Sequence, residues 1–161
     1  AVILGENVLI PGVNDSKKLS QKKREYLYNE IKEKALCCSI GIVDAKTIDD
    51  VNILNATYLA MKKALEGLTV KPDYILLDAV NLKDVDIPQQ GIIKGDSLSL
   101  SIAAASIVAK VERDRIVSAY DELYPNYSFS KHKGYGTREH IECIKKYGIL
   151  PIHRRSFTKN L

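Results

Sequence analysis

The stretch from Tyr74 to Arg115, YILLDAVNLKDVDIPQQGIIKGDSLSLSIAAASIVAKVERDR, constrains this chain most, because it sets two strand-like runs, each ending near an aspartate, against one long apolar helix. Ile75, Leu76 and Leu77 form an unbroken apolar run after Pro72, as in a strand covered on both faces, and Asp78 is the first polar residue beyond it. A second short run, Gly91, Ile92 and Ile93, leads through Lys94 and Gly95 to Asp96, just ahead of the helix. In open α/β sheets ligand chemistry gathers at the carboxyl ends of strands, so both aspartates fall where a site is expected.

The helix is marked by a possible cap at Ser97 and by Leu100, Ala104, Ile107 and Val111 recurring on one face, with Ala103 to Ala105 permitting close backbone approach. Its amino end favours an anionic Asp96 and can hold a phosphate oxygen. Two carboxylates about 4 Å apart repel by about 4 kcal/mol at an effective dielectric of 20, so such a pair needs a proton or a cation between them. Oxygen-only ligands point to Mg²⁺ or Mn²⁺ rather than zinc.

With 161 residues, 45% of them hydrophobic, the chain can build one compact domain with its own core. The net charge is only +4, but basic residues cluster at Lys17, Lys18 and Lys22 to Arg24, at Lys131, Lys133 and Arg138, and at His153 to Arg155. Such clusters suit phosphate contacts, although a basic helix face is often only a solvated one. Cys37, Cys38 and Cys143 fit neither a disulfide framework nor zinc spacing, which points to a reduced, cytoplasmic protein. No run approaches the apolar length needed to cross a bilayer.

At the amino end, AVIL, GEN and VLI read as a hairpin ended by Pro11-Gly12. Asn14 to Leu19 is a loop offering an amide, a hydroxyl and two ammonium groups, before a helix capped by Ser20 with a stripe of Leu27, Ile31 and Ala35. Cys38, Ile40 and Ile42 alternate as a strand, and a helix starting near Thr47 carries Val51, Leu54, Tyr58, Met61 and Leu65 to a stop at Gly67. Asp44, Asp49 and Asp50 fit helix-dipole acids better than metal ligands. Further on, Gly134 and Gly136 flank Tyr135, an arrangement that lets backbone approach a ligand while the ring stacks on a base or its hydroxyl meets a 2′-hydroxyl. A packed turn tyrosine is the plainer alternative. His132 has no serine or cysteine partner of triad type and reads as structural or phosphate-facing. Thr137 can cap one more helix, ended by Gly148, ahead of the basic tail PIHRRSFTKNL.

Six ordered segments, NDSKKL (Asn14 to Leu19), LLDAVNL (Leu76 to Leu82), IIKGD (Ile92 to Asp96), IAAASIVAKVERDR (Ile102 to Arg115), HKGYGT (His132 to Thr137) and PIHRRSF (Pro151 to Phe157), together resemble ribonuclease HII, the type 2 ribonuclease H. The resemblance implies an α/β fold, an RNase H-like mixed sheet flanked by helices, as a single domain over 1–161 with a C-terminal helical part from about residue 119. It implies an endoribonuclease that cuts the RNA strand of RNA/DNA hybrids, or ribonucleotides embedded in a DNA duplex, in DNA replication and repair. The family uses two divalent metals and four acids. Asp78 and Asp96 match the third and fourth, as catalytic residues and metal ligands. Tyr135 matches the family's ribonucleotide-contacting tyrosine, and Asn14, Ser16, Lys17, Lys18, Lys133 and Arg154, which fall in the matching segments, are expected to bind substrate, as is Lys131 of the adjoining basic cluster. The family's first two acids, an Asp-Glu pair followed by Gly-Arg-Gly, have no counterpart here, so the sequence reads as lacking the first strand and as inactive by itself. A non-catalytic nucleic-acid-binding module is the alternative. Neither a membrane nor an obligate protein partner is expected.

Overall fold

The computed structural model describes residues 1–159, which form two compact units. The first takes in 1–42 and 58–111, the second 43–57 and the described residues from 112 onward. The chain is mixed α/β, as expected, and mostly helical, with the strands of the described residues in two separate two-stranded ladders.

In the first unit, β1 (Val2–Leu4) pairs antiparallel with β2 (Ala35–Cys38), Ile3 lying opposite Cys37. The expected hairpin is therefore not formed: Val8 to Ile10 is not a strand, because β1 takes β2 as its partner and Ile10 turns into the core at 4% exposure. The expected strand through Ile42 likewise stops at Cys38, and Ile42 is exposed. Between these strands α1 (Gln21–Lys34) is capped by Ser20, whose hydroxyl accepts the Lys23 amide at 3.2 Å. Its Leu27, Tyr28 and Ile31 meet Ile10, Ala104, Ile107, Val108 and Val111 in the main apolar cluster.

Next, α2 (Ala45–Glu66) starts earlier than its sequence suggests, the Asp44 carboxylate accepting the Thr47 amide at 2.7 Å. Asn52, at φ 69°, interrupts it and caps the remaining turns afresh by accepting the Asn55 amide at 3.1 Å. The expected apolar stripe breaks there. Leu54 is exposed, whereas Tyr58, Met61 and Leu65 cover a second cluster of Ile75, Leu77 and Leu82.

β3 (Ile75–Asp78) and β4 (Gln89–Ile92) pair in parallel, with Asp78 opposite Ile92. The β3 run is covered on one face only: Ile75 and Leu77 are buried, Leu76 and Asp78 point outward. After Lys94 in the left-handed region, a single turn, α3 (Gly95–Leu98), stops at extended Ser99, and α4 (Leu100–Leu123) begins. Ser99 rather than Ser97 caps the long helix, its hydroxyl accepting the Ile102 amide at 3.4 Å.

The second unit adds α5 (Phe129–His132), α6 (Arg138–Tyr147) and α7 (Arg155–Thr158), the expected helical C-terminal part. Its core is aromatic: Tyr127 and Phe129 stack with centroids 5.5 Å apart and pack with Ile144. Among the described residues no helix is long and apolar enough to cross a membrane.

Candidate active site

In the first unit one of the two expected carboxylates, that of Asp78, is tied by backbone to the residue just before the other, Asp96. Asp78 leaves β3 pointing outward, and its Oδ1 accepts the Gly95 amide at 2.9 Å, one residue before Asp96. That bond ties the exit of β3 to the first turn of α3. Gly95 leaves room for α4 there, since a Cβ at this position would meet Ile102 Cδ1 at 2.5 Å and force that side chain to shift. Asp96 is 8% exposed, and its Oδ1 lies 3.5 Å from the Ser97 hydroxyl.

The donor chemistry, two carboxylates with oxygen atoms only, suits a hard divalent cation. The number of donors is short: among the described residues no three His, Cys, Asp or Glu side chains form a group able to hold a metal. Asp78 and Asp96 therefore fit as part of a coordination shell, not as a whole one.

The Asn14 to Leu19 loop carries a one-turn 3₁₀ helix at Ser16–Lys18, with Asp15 accepting the Lys17 amide at 2.9 Å. Asn14, Lys17 and Lys18 are exposed. Ser16 faces the other way, 4% exposed with its hydroxyl 2.9 Å from that of Ser106 on α4. Its side chain anchors the loop. Arg24 does the same from α1, its guanidinium donating to the carbonyls of Ser16 and Leu19. Of the basic cluster on that helix, one member thus serves the fold.

In the second unit Lys133 and Gly134 both take positive φ, turning the chain so that Tyr135 projects at 54% exposure. Arg113 of α4 places its guanidinium carbon 4.9 Å from the centre of the Tyr135 ring and donates to the Lys133 carbonyl. Lys131 pairs with Glu139 at 2.8 Å on the surface. The Lys133 ammonium is engaged by the Ser118 hydroxyl at 2.7 Å and the Ser130 carbonyl at 2.6 Å, so it braces the loop. Arg154 lies over the Phe157 ring at 3.9 Å, and burial followed by the nearby Arg113 charge lowers its pKa from the ordinary value.

Several contributors were not expected from sequence. Asp49 is no simple first-turn acid: it accepts the amides of Arg155 and Ser156 at 2.7 and 2.9 Å and the Ser156 hydroxyl, capping α7 directly after Arg154. The Ser156 hydroxyl, then the amides, hold its carboxyl below the usual carboxylate range. Arg113 could have been found only from its place in ERDR. His132 is structural, 7% exposed, with Nδ1 accepting the Gly134 amide and Nε2 bonded to the Tyr127 carbonyl.

The family model described as Ribonuclease HII matches residues 6–160 of this chain. The chain belongs to the ribonuclease HII family. It is 59% identical over 160 residues to "Ribonuclease HII" of Clostridioides difficile strain 630, covering 99% of this chain and 63% of that protein. It is likewise 59% identical to "Ribonuclease HII" of Acetivibrio thermocellus, with 99% and 62% covered. The chain thus spans a little under two thirds of the length of these curated ribonuclease HII relatives. Among solved structures it resembles the ribonuclease H2 from Pyrococcus horikoshii OT3, at a TM-score of 0.69 and 29% identity over 90% of this chain and 76% of that one.

Proposed function

We propose that this chain is part of an enzyme that hydrolyses the RNA strand of RNA/DNA hybrids and cuts at ribonucleotides embedded in DNA, with Asp78 and Asp96 as two of the acids that hold divalent ions. The observation that supports the proposal is the 2.9 Å bond from the Gly95 amide to Asp78 Oδ1, which links the exit of β3 to the residue before Asp96. Mg²⁺ or Mn²⁺, when bound, would activate a water and steady the leaving oxygen. Asp78 presents an exposed carboxylate with one oxygen already oriented by backbone, while buried Asp96 sits in the first turn of α3.

Substrate contact is assigned to Tyr135, through its ring or hydroxyl at the ribose, and to exposed Asn14, Lys17, Lys18 and Lys131. Arg154 contributes its charge from the edge of α7, whereas Ser16 and Lys133 act by holding their loops. The whole is read as one RNase H-like domain with a helical C-terminal part, in the cytoplasm, its three cysteines free.

The 161 residues alone are expected to cleave a hybrid negligibly, since they supply two of the four acids. The test is to add an upstream segment carrying Asp-Glu and Gly-Arg-Gly and to assay a duplex with a single ribonucleotide. Mg²⁺-dependent cleavage only after the addition supports the proposal. The ligand shortfall among the described residues favours the second reading, a non-catalytic nucleic-acid-binding module. Binding without cleavage in the extended protein would select it.

A further inference from the structure

All three histidines of the sequence lie in the second unit, each at most 9% exposed, and none has a part in the proposed phosphate chemistry. Backbone groups nevertheless dictate where each ring carries its proton. The Leu150 amide donates to His153 Nδ1 at 2.8 Å, so the neutral ring bears its proton on Nε2. That N–H points at His140 Nε2, 3.0 Å away, which must accept it. His140 then carries its proton on Nδ1, and Nδ1 lies 2.9 Å from the Tyr135 carbonyl. The same carbonyl accepts the Thr137 amide at 2.8 Å, while the Tyr135 amide donates to the His132 carbonyl at 2.9 Å. Both backbone groups of Tyr135 are therefore fastened to histidines.

We propose that His153 and His140 form a one-way positioning relay, running from the Leu150 amide into the Tyr135 carbonyl, that sets the backbone of Tyr135 and so the aim of its side chain toward a ribose. The aim rests on the reading of Tyr135 as the ribose contact. The relay itself does not. Its direction is fixed at both ends, because Leu150 can only donate and the Tyr135 carbonyl can only accept. One extra proton on either ring turns a link into a donor facing a donor: His153 would oppose the Leu150 amide, and His140 would oppose His153. The titratable neighbours are His132, stacked 4.3 Å from His140; Tyr127, 5.7 Å from His153 with its hydroxyl on the Gly148 carbonyl; Asp121 beside His132; and Cys143 and Tyr147 beside Tyr127. Burial lowers the pKa of both relay rings from the ordinary histidine value, in keeping with a neutral pair near pH 7.

The test uses the full chain with ¹⁵N-labelled histidine, NMR detection of the ring protons, and amide exchange at Tyr135 and Thr137. Expected at pH 7.5 are a His153 proton on Nε2 and a His140 proton on Nδ1. His153→Leu should speed exchange at both amides by about threefold to tenfold, the worth of one neutral hydrogen bond. His153→Gln, whose amide nitrogen reaches the Nε2 position, should restore most of the protection. His140→Asn keeps a donor at the Nδ1 position and should also hold Tyr135. In parallel, the ratio of affinities for a duplex with one ribonucleotide over the all-DNA duplex, measured without added metal, should fall with His153→Leu and recover with His153→Gln. Reversed tautomers, or a Leu variant that leaves exchange and ratio unchanged, overturn the relay. So does equal loosening of the whole unit by the Leu and Gln variants, which is the signature of mere packing. Tyr135→Ala separates the two layers: if it leaves the ratio unchanged while the relay variants still alter exchange at residue 135, the ribose reading falls and the relay is retained as what sets the Tyr135 backbone.

Discussion

Asp78 accepts the amide of Gly95 at 2.9 Å, and that bond couples the carboxylate at the exit of β3 to the turn that carries Asp96. Residue 95 also packs against α4: a Cβ there would meet Ile102 Cδ1 at 2.5 Å, and buried Ile102 would have to shift. Gly95→Ala should therefore destabilise the fold by about 1 to 3 kcal/mol, the usual cost of forcing an extra methyl into a packed site. Urea unfolding followed by circular dichroism measures this, and an unchanged midpoint would contradict the steric argument.

Arg113 holds the Tyr135 ring on one face, a contact that needs the aromatic ring and not its hydroxyl. Tyr135→Phe should leave thermal stability near wild type. In the protein extended with Asp-Glu, the same change should lower the preference for a ribonucleotide-containing duplex by about fivefold, as expected for one hydrogen bond of about 1 kcal/mol. Equal loss of affinity for ribo- and deoxy-duplexes would instead mark Tyr135 as a general stacking platform.

The elements legible in the sequence were those written in local chemistry. Ser20 before α1, the spacing of Ile107 and Val111, and the glycines around Tyr135 all led to the structure found. The failures came where a distant partner decided the outcome. Val8 to Ile10 has strand composition, yet β1 already had β2 as its partner, and the competition between them is invisible to a local reading. Likewise the stripe on α2 looks continuous until Asn52 takes φ 69° and ψ 165°, a break in the helix that apolar spacing does not reveal. Asp78 and Asp96 could be named as candidates, but that a glycine amide joins them, and that Ser16 and Lys133 turn their polar atoms to the fold, required coordinates. The histidine chain was unreadable because His132, His140 and His153 are separated by loops whose folding alone brings the rings together.

Stability should fall on mild acidification. Burial lowers the pKa of His140 and His153 below the ordinary 6.5, so just below that value the unfolded chain binds more protons than the folded one. The stabilisation is complete above about pH 6.5 and is lost as pH falls through the folded pKa values. Thermal melts between pH 7.5 and 5 should show a falling midpoint, and substitution of both rings by Gln should flatten that part of the curve. A midpoint that rises on acidification would refute the assignment.

Salt dependence should distinguish lysines that meet phosphate from those that brace the fold. Each neutralised phosphate on B-form DNA contributes about −0.9 to the slope of log affinity against log salt concentration. Lys17 is exposed beside Asn14, and its replacement by Ala should make the slope shallower by about one such step, with little change in stability. Lys133 differs, because its ammonium already binds the Ser118 hydroxyl and the Ser130 carbonyl at 2.7 and 2.6 Å. Lys133→Ala should lower the melting temperature and leave the slope nearly unchanged. Fluorescence anisotropy on a labelled duplex from low to moderate salt reads both variants, and a slope that responds to Lys133 but not to Lys17 would reverse the assignment of the two side chains.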